Sequence, residues 1–210
     1  MNDNKIGIYH YFSCNATSLK SSMTQASIES EVSNDFNSLK KFKKIIIPGI
    51  GNMQHIYNGL KPEEFSKKIQ EYIDDGGIVY GICLGMQYFL SKSEEGDCKT
   101  LDLITGSSVS LKKNFKMTMN VGFKKIKFDK QVEVLSNLFD GISENAKFYF
   151  LHKYHCIIDE EKLEKSHCIF EGKKITSAFY KKNILGTQFH PELSGHSGLK
   201  FLKNFFEYKF

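Results

Sequence analysis

The chain contains no arginine: all 29 of its basic residues are lysines. Readers of base edges and clamps on phosphate rely on the planar guanidinium fork. A net charge of +5 with a pI near 8.8 therefore does not point to nucleic acid. The clusters at Lys40, Lys41, Lys43 and Lys44, and at Lys112, Lys113 and Lys116, are read as solvated surface. Cysteine occurs five times, at Cys14, Cys83, Cys98, Cys156 and Cys168. The number is odd, no pair forms C-x-x-C, and the spacing is irregular, which argues against a disulfide framework and a zinc site. No apolar run approaches the length of a membrane span. Met1 to Tyr11 is acidic and polar where a secretion signal needs a basic stretch followed by an apolar one. A reduced, cytoplasmic protein is expected, with no membrane or nucleic-acid partner. There is no internal repeat, low-complexity tract or linker, so residues 1–210 are expected to form one domain.

What is present suits a globular protein: 40% hydrophobic residues, many of them Phe and Tyr, and 25% charged. Residues 5–12 are β-branched and aromatic and read as a first strand, with helical spacing possible from Thr17 to Ile28. Residues 44–47 (KIII) form a short apolar run stopped by Pro48-Gly49-Ile50-Gly51. A run without alternation fits a strand covered on both faces, as in a parallel sheet. Residues 62–74 read as a helix with Pro62 in its first turn and Phe65, Ile69 and Ile73 on one face. Residues 78–82 (IVYGI) read as a second buried strand, and Leu84 to Leu90 as a helix after it. Between about 104 and 190, short alternating strands suggest appended antiparallel pairs. Residues 194–208 read as a closing helix with Ser194 as N-cap. The fold class that follows is α/β, an open, mostly parallel central sheet flanked by helices, with appended antiparallel strands.

The segment richest in chemistry is Gly81-Ile82-Cys83-Leu84-Gly85, between an apolar strand and a helical run. It has the nucleophile-elbow pattern with Cys in the Ser position. Flanking glycines suit a turn with no room for Cβ atoms, and amides at a helix start favour thiolate and can receive an oxyanion. Taken alone, such a Cys could equally be a small buried hydrophobe. A nucleophilic Cys needs a base and an orienter. His190-Pro191-Glu192, after the strand Ile184 to Phe189, offers both: His190 to move the proton and Glu192 to hold the imidazole. An isolated His-x-Glu is common on surfaces; its place at a strand end makes it informative.

Gly81-Ile82-Cys83-Leu84-Gly85-Met86-Gln87, together with Gln188-Phe189-His190-Pro191-Glu192, resembles the class I glutamine amidotransferases. Within them the chain is most similar to the glutaminase subunits of imidazole glycerol phosphate synthases. Pro48-Gly49-Ile50-Gly51, Ser93-Glu94-Glu95-Gly96, Asn15 to Ser18, and the ending Ser194-Gly195, Gly198-Leu199, Asn204-Phe205 match as well, from residue 6 to 206. The resemblance implies that Cys83 forms a glutamyl thioester, with His190 as base then acid and Glu192 as its orienter. It implies an oxyanion hole from the backbone N–H groups of Leu84 and Ile50. Gly51, Gln87, Glu95, His152, Lys153 and Tyr154 would line the L-glutamine pocket. No metal or organic cofactor is implied. Ammonia would pass to a (β/α)₈-barrel cyclase/synthase partner in a heterodimer, whose state controls the oxyanion strand.

Four segments depart from the family pattern. Tyr9-His10-Tyr11-Phe12 replaces an Asp-Tyr-Gly run, Thr17 stands near an Arg position, Val121-Gly122-Phe123-Lys124 replaces Met-Gly-Trp-Asn, and Lys153 replaces a small hydroxyl residue. Most of these lie on the implied partner side. Three functions follow for comparison: ammonia supply in histidine biosynthesis, ammonia supply for amidation of a surface sugar, and a non-catalytic scaffold of the same fold. A Cys hydrolase of another amide is a minor fourth.

Overall fold

The computed structural model describes residues 1–11, 14–59, 61–129, 132–160 and 162–210, apart from the side chains of 55, 58 and 59. The chain first runs β1 (Asn2–Tyr9), α1 (Ala16–Gln25), β2 (Ser30–Ser33), α2 (Phe36–Leu39), β3 (Phe42–Gly49), α3 (Met53–Gly59), α4 (Pro62–Asp74), β4 (Ile78–Cys83) and α5 (Leu84–Tyr88). It continues with β5 (Leu90–Ser93), β6 (Cys98–Lys99), β7 (Ile104–Ser110), β8 (Asn120–Lys125), β9 (Lys127–Phe128), α6 (Val134–Leu138) and β10 (Lys147–His152). β11 (Tyr154–Ile158), β12 (Glu164–Phe170), β13 (Lys173–Lys181), β14 (Ile184–Thr187) and α7 (Gly195–Glu207) complete it. The first strand, expected over 5–12, thus covers Asn2–Tyr9; residue 12 lies outside the described residues.

The main sheet has the order β2-β1-β3-β4-β14-β13-β12-β9. Its pairings from β2 to β14 are parallel and those from β14 to β9 are antiparallel. β8 and β10 form a separate antiparallel pair, and β11-β7-β5-β6 a third sheet. The expected mixture is present, with one refinement. The region after residue 104 also returns a strand, β14, to the parallel core beside β4.

The isoleucines of β3 explain the two-sided core. Ile46 packs with Leu19, Met23, Tyr80, Phe201 and Phe205, so α1 and α7 cover one face. Ile45 and Ile47 point the other way, toward Phe65, Ile69 and Tyr72 of α4. Successive strand residues face opposite sides, so a strand buried on both faces has no place for polar alternation. On α4 the stripe is Phe65, Ile69 and Tyr72, while Ile73 is only partly buried. Among the described residues no helix is long and apolar enough to cross a membrane.

Two expectations fail here. The helix expected from Leu84 to Leu90 ends at Tyr88, and Leu90–Ser93 is a strand. Leu90, Lys92 and Ser93 pair with Ile104, Ser107 and Ser108 of β7, a partner that helical periodicity cannot see.

Lys44 is the other. Far from being solvated, it is only 7% exposed. Its ammonium donates to the carbonyls of Phe206 (2.6 Å) and Tyr208 (2.8 Å) at the end of α7, where a cation satisfies acceptors the helix leaves free. Burial pushes its pKa down from 10.5 to about 8. Between these values the unfolded chain binds more protons than the folded one, so stability rises with pH. Relative to Lys44→Met, wild type is expected to gain stability from pH 8 to 10.5, by at most roughly 3 kcal/mol. Parallel pH profiles of the two proteins in calorimetry would contradict this.

Candidate active site

β4 carries Cys83 to the carboxyl edge of the main sheet, where open α/β sheets gather their ligands. Cys83 adopts φ 54° and ψ −103°, a conformation costing a residue with a Cβ roughly 1–3 kcal/mol. The turn lifts the sulfur out of the strand, and Leu84 begins α5 at once. α5 is only five residues long, so the sulfur does not face the dipole of a long helix. The glycines expected for this turn are needed on both sides. A Cβ on Gly81 would stand 2.6 Å from the Gly85 carbonyl, and one on Gly85 would stand 2.1 Å from the Ile47 oxygen.

His190 arrives from β14, the parallel neighbour of β4. Its backbone N–H donates to the Tyr149 carbonyl (2.9 Å). Ser194 fixes the same corner: its hydroxyl donates to the His190 carbonyl (2.6 Å) and accepts the Tyr149 N–H (2.9 Å). Ser194 does precede α7, but its side chain makes no capping bond there, being committed to His190. The His190 Nδ1 lies 2.9 Å from Glu192 Oε1, and these two side chains are 1% and 2% exposed. Nε2 is buried without a hydrogen-bond partner among the described residues. Burial by itself would lower the His190 pKa. The Cys83 sulfur and the Glu192 carboxylate outweigh it and hold the imidazolium well above its ordinary range. A thiol sulfur, an imidazole and a carboxylate are thus brought together from positions 83, 190 and 192.

In front of the sulfur lies a cleft of about 320 Å³. It is lined by Ile50, Gly51, Leu84, Gln87, Glu95, His152, Lys153 and Tyr154, every residue expected for the pocket and the oxyanion hole, with Asn52, Met119 and Leu151 beside them. Gln87 is no surface residue, being 2% exposed. Its amide donates to the Tyr154 carbonyl and to Gln188 Oε1, both at 3.0 Å, and accepts the Ser108 hydroxyl at 3.1 Å. Gln188 in turn donates to the Cys83 sulfur at 3.5 Å. Glu95 accepts the Met53 N–H at 3.0 Å; burial raises its pKa, opposed by that bond and by the charge of Lys153.

His152 braces the far wall. Asn120 Nδ2 donates to His152 Nε2 (3.0 Å), leaving Nδ1–H to donate to the Tyr154 carbonyl (2.7 Å). Burial drives the His152 pKa down to about 3, so the ring stays neutral and this arrangement persists. Asn120, Gln188, Ser108 and Ser194 were not singled out from the sequence as site residues. Gln188 carried a signal as part of the quoted Gln-Phe-His-Pro-Glu run, and Ser194 as part of the quoted ending and as an expected N-cap.

Comparison with known proteins gives the family. The family described as glutamine amidotransferase class-I matches residues 2–208. The imidazole glycerol phosphate synthase subunit HisH of Chlorobaculum tepidum is 36% identical over 202 residues, covering 96% of this chain and 98% of that protein. The subunit of the same name from Methanocaldococcus jannaschii is 36% identical, covering 96% and 98%. That from Haemophilus influenzae is 34% identical, covering 92% of each. Among solved structures, a chain of PurLQS from Thermotoga maritima superposes with a TM-score of 0.68 at 14% identity, over 95% of this chain and 96% of that one. A further glutamine amidotransferase superposes at 0.67 with 14% identity, over 95% and 97%. At such identities the structures speak to the fold alone.

Proposed function

The chain belongs to the class I glutamine amidotransferases, and from that premise we propose that it is the glutaminase subunit of an imidazole glycerol phosphate synthase. In this role it hydrolyses L-glutamine and hands the ammonia to a cyclase subunit in histidine biosynthesis. The observation that carries the chemistry is the buried His190–Glu192 pair beside Cys83, with Nε2 left for the sulfur.

The steps follow from these positions. The sulfur bonds as thiolate to the amide carbon of glutamine, its proton held on His190 Nε2. The oxyanion formed is received by the backbone N–H groups of Leu84 and Ile50. His190 returns the proton to the amide nitrogen, the C–N bond breaks, and ammonia leaves a glutamyl thioester. A water deprotonated by His190 then attacks the thioester carbon, and glutamate departs as the thiolate sulfur is released with the proton on His190. Glu192 holds the Nδ1–H tautomer throughout. Glu95 and Lys153 set a carboxylate and an ammonium at one cleft, which suits the ammonium and carboxylate of a free amino acid. Gly51 and His152 to Tyr154 shape the wall, with Gln87 tying Tyr154 to the sulfur side.

A partner subunit is supported by the surface beside the cleft. On the β8–β10 pair, Val121 lies opposite Leu151 and Phe123 opposite Tyr149. Val121, Phe123 and Leu151 are 49%, 55% and 42% exposed. Three neighbouring apolar side chains in water, next to a reactive sulfur, fit a face that a partner covers.

A strain lacking its own glutaminase subunit of this synthase tests the proposal. Given this chain and the cognate cyclase subunit, it is expected to grow without histidine at low ammonium. Failure to grow while the purified complex still hydrolyses glutamine would move the function to amidation of a surface sugar. Failure of both would end the glutaminase reading and leave a scaffold.

A further inference from the structure

β1 and β3 are parallel neighbours, and the chain leaves both at the carboxyl edge beside the elbow. Tyr11, two residues after β1, turns inward there and is 7% exposed. A Cβ placed on Gly49 would stand 2.8 Å from the Tyr11 hydroxyl, 2.6 Å from Leu84 Cβ and 2.4 Å from the Gly85 amide nitrogen. The phenol, the elbow and the last residue of β3 therefore meet at one point. The Tyr11 hydroxyl is buried there with no hydrogen-bond partner among the described residues. Burial pushes its pKa well above the usual range, helped by Cys14 and Cys83, so the group keeps its proton and remains a donor. A phenylalanine would fill the same space without the cost of an unsatisfied hydroxyl.

The neighbouring peptide gives the hydroxyl a use. The Gly49–Ile50 peptide is planar, so its C=O and N–H point in opposite directions. A donor that holds the carbonyl on the phenol side holds the N–H on the other. Glycine stands on either side of Ile50, and Gly51 has φ 109°, so the segment tolerates such a setting. We propose that Tyr11 is a positioning residue. Its hydroxyl donates to the Gly49 carbonyl in the catalytic arrangement and thereby aims the Ile50 N–H at the oxyanion formed on Cys83. The inference rests on the glutaminase reading given above.

Tyr11→Phe separates this role from packing. In complex with the cognate cyclase subunit, kcat for glutamine hydrolysis is expected to fall about tenfold or more, with KM within about twofold. The thermal midpoint is expected to stay or rise. Alkylation of Cys83 by iodoacetamide, followed by peptide mapping, is expected to keep its rate, because it forms no oxyanion. An unchanged kcat in an active complex overturns the inference alone. So does an alkylation rate that falls in step with kcat, since the phenol would then act on the sulfur. A variant that unfolds also overturns it, because its hydroxyl would then be a structural bond. Wild-type complex that does not hydrolyse glutamine, while Cys83 alkylates normally, removes the glutaminase reading and this inference with it.

Discussion

Cys83→Gly is expected to abolish glutamine hydrolysis, by at least about 10⁴-fold, and to unfold at a higher temperature than Cys83→Ala. The loss of activity follows, on the proposed mechanism, from removing the sulfur that attacks the amide. The gain in stability follows from the backbone. At φ 54° and ψ −103° any Cβ is strained, and alanine keeps that strain while losing the sulfur. Glycine is free of it. In an ordinary strand, glycine is worse than alanine by roughly 0.5–1 kcal/mol. Here the order should reverse, with glycine ahead by about 1 kcal/mol, or a few degrees in a chain of this size. Thermal unfolding of wild type and both variants, with glutaminase assays of each beside the cyclase subunit, checks the two parts together. If Cys83→Gly melts below Cys83→Ala, the turn stores no strain at this residue. If either variant hydrolyses glutamine at the wild-type rate, another group is the nucleophile.

The elbow and the His-Pro-Glu corner were legible because their signals are local. Gly81-Ile82-Cys83-Leu84-Gly85 announces a crowded turn, and His190-Pro191-Glu192 sits just after a short apolar strand. The parallel core was legible for the same reason, since KIII and IVYGI are buried on both faces and cannot alternate. What escaped depends on contacts far along the chain. Lys44 looked like one more surface lysine until its acceptors at 206 and 208 came into view. Leu90 looked helical until β7 supplied a strand partner. The pocket wall shows the limit most clearly. His152 and Tyr154 could be suspected only through family resemblance. The residue that locks them, Asn120, lies 32 positions away with an unremarkable sequence around it. Gln188 was quoted for its neighbours, and its own role, bridging Gln87 to the sulfur, needed the fold.

Gly85→Ala is expected to cost both stability and activity severely. The new Cβ would lie 2.1 Å from the Ile47 oxygen and 3.1 Å from its carbon, which are backbone atoms with no rotamer to change. β3 cannot draw back, because it is paired with β1 on one side and β4 on the other. The turn cannot slide sideways, because the Gly85 backbone is also tight against Gly49 and Gly81. Relief must come from lifting the start of α5 off the sheet. A shift of about 1 Å there moves the Leu84 N–H and the sulfur together, and a misplacement of that size costs on the order of 10²-fold in rate. The stability loss should be about 3 kcal/mol or more, in the range of severe overpacking. Gly172→Ala is the control. Its φ of 76° strains an alanine, but no atom lies within 4 Å of the new Cβ, so it should lose only about 1 kcal/mol and no activity. Urea unfolding and glutaminase assays of the two variants separate backbone strain from backbone collision. Equal losses for Gly85→Ala and Gly172→Ala would mean that the elbow is not held by close packing on β3, and the geometry that aims Cys83 would need another cause.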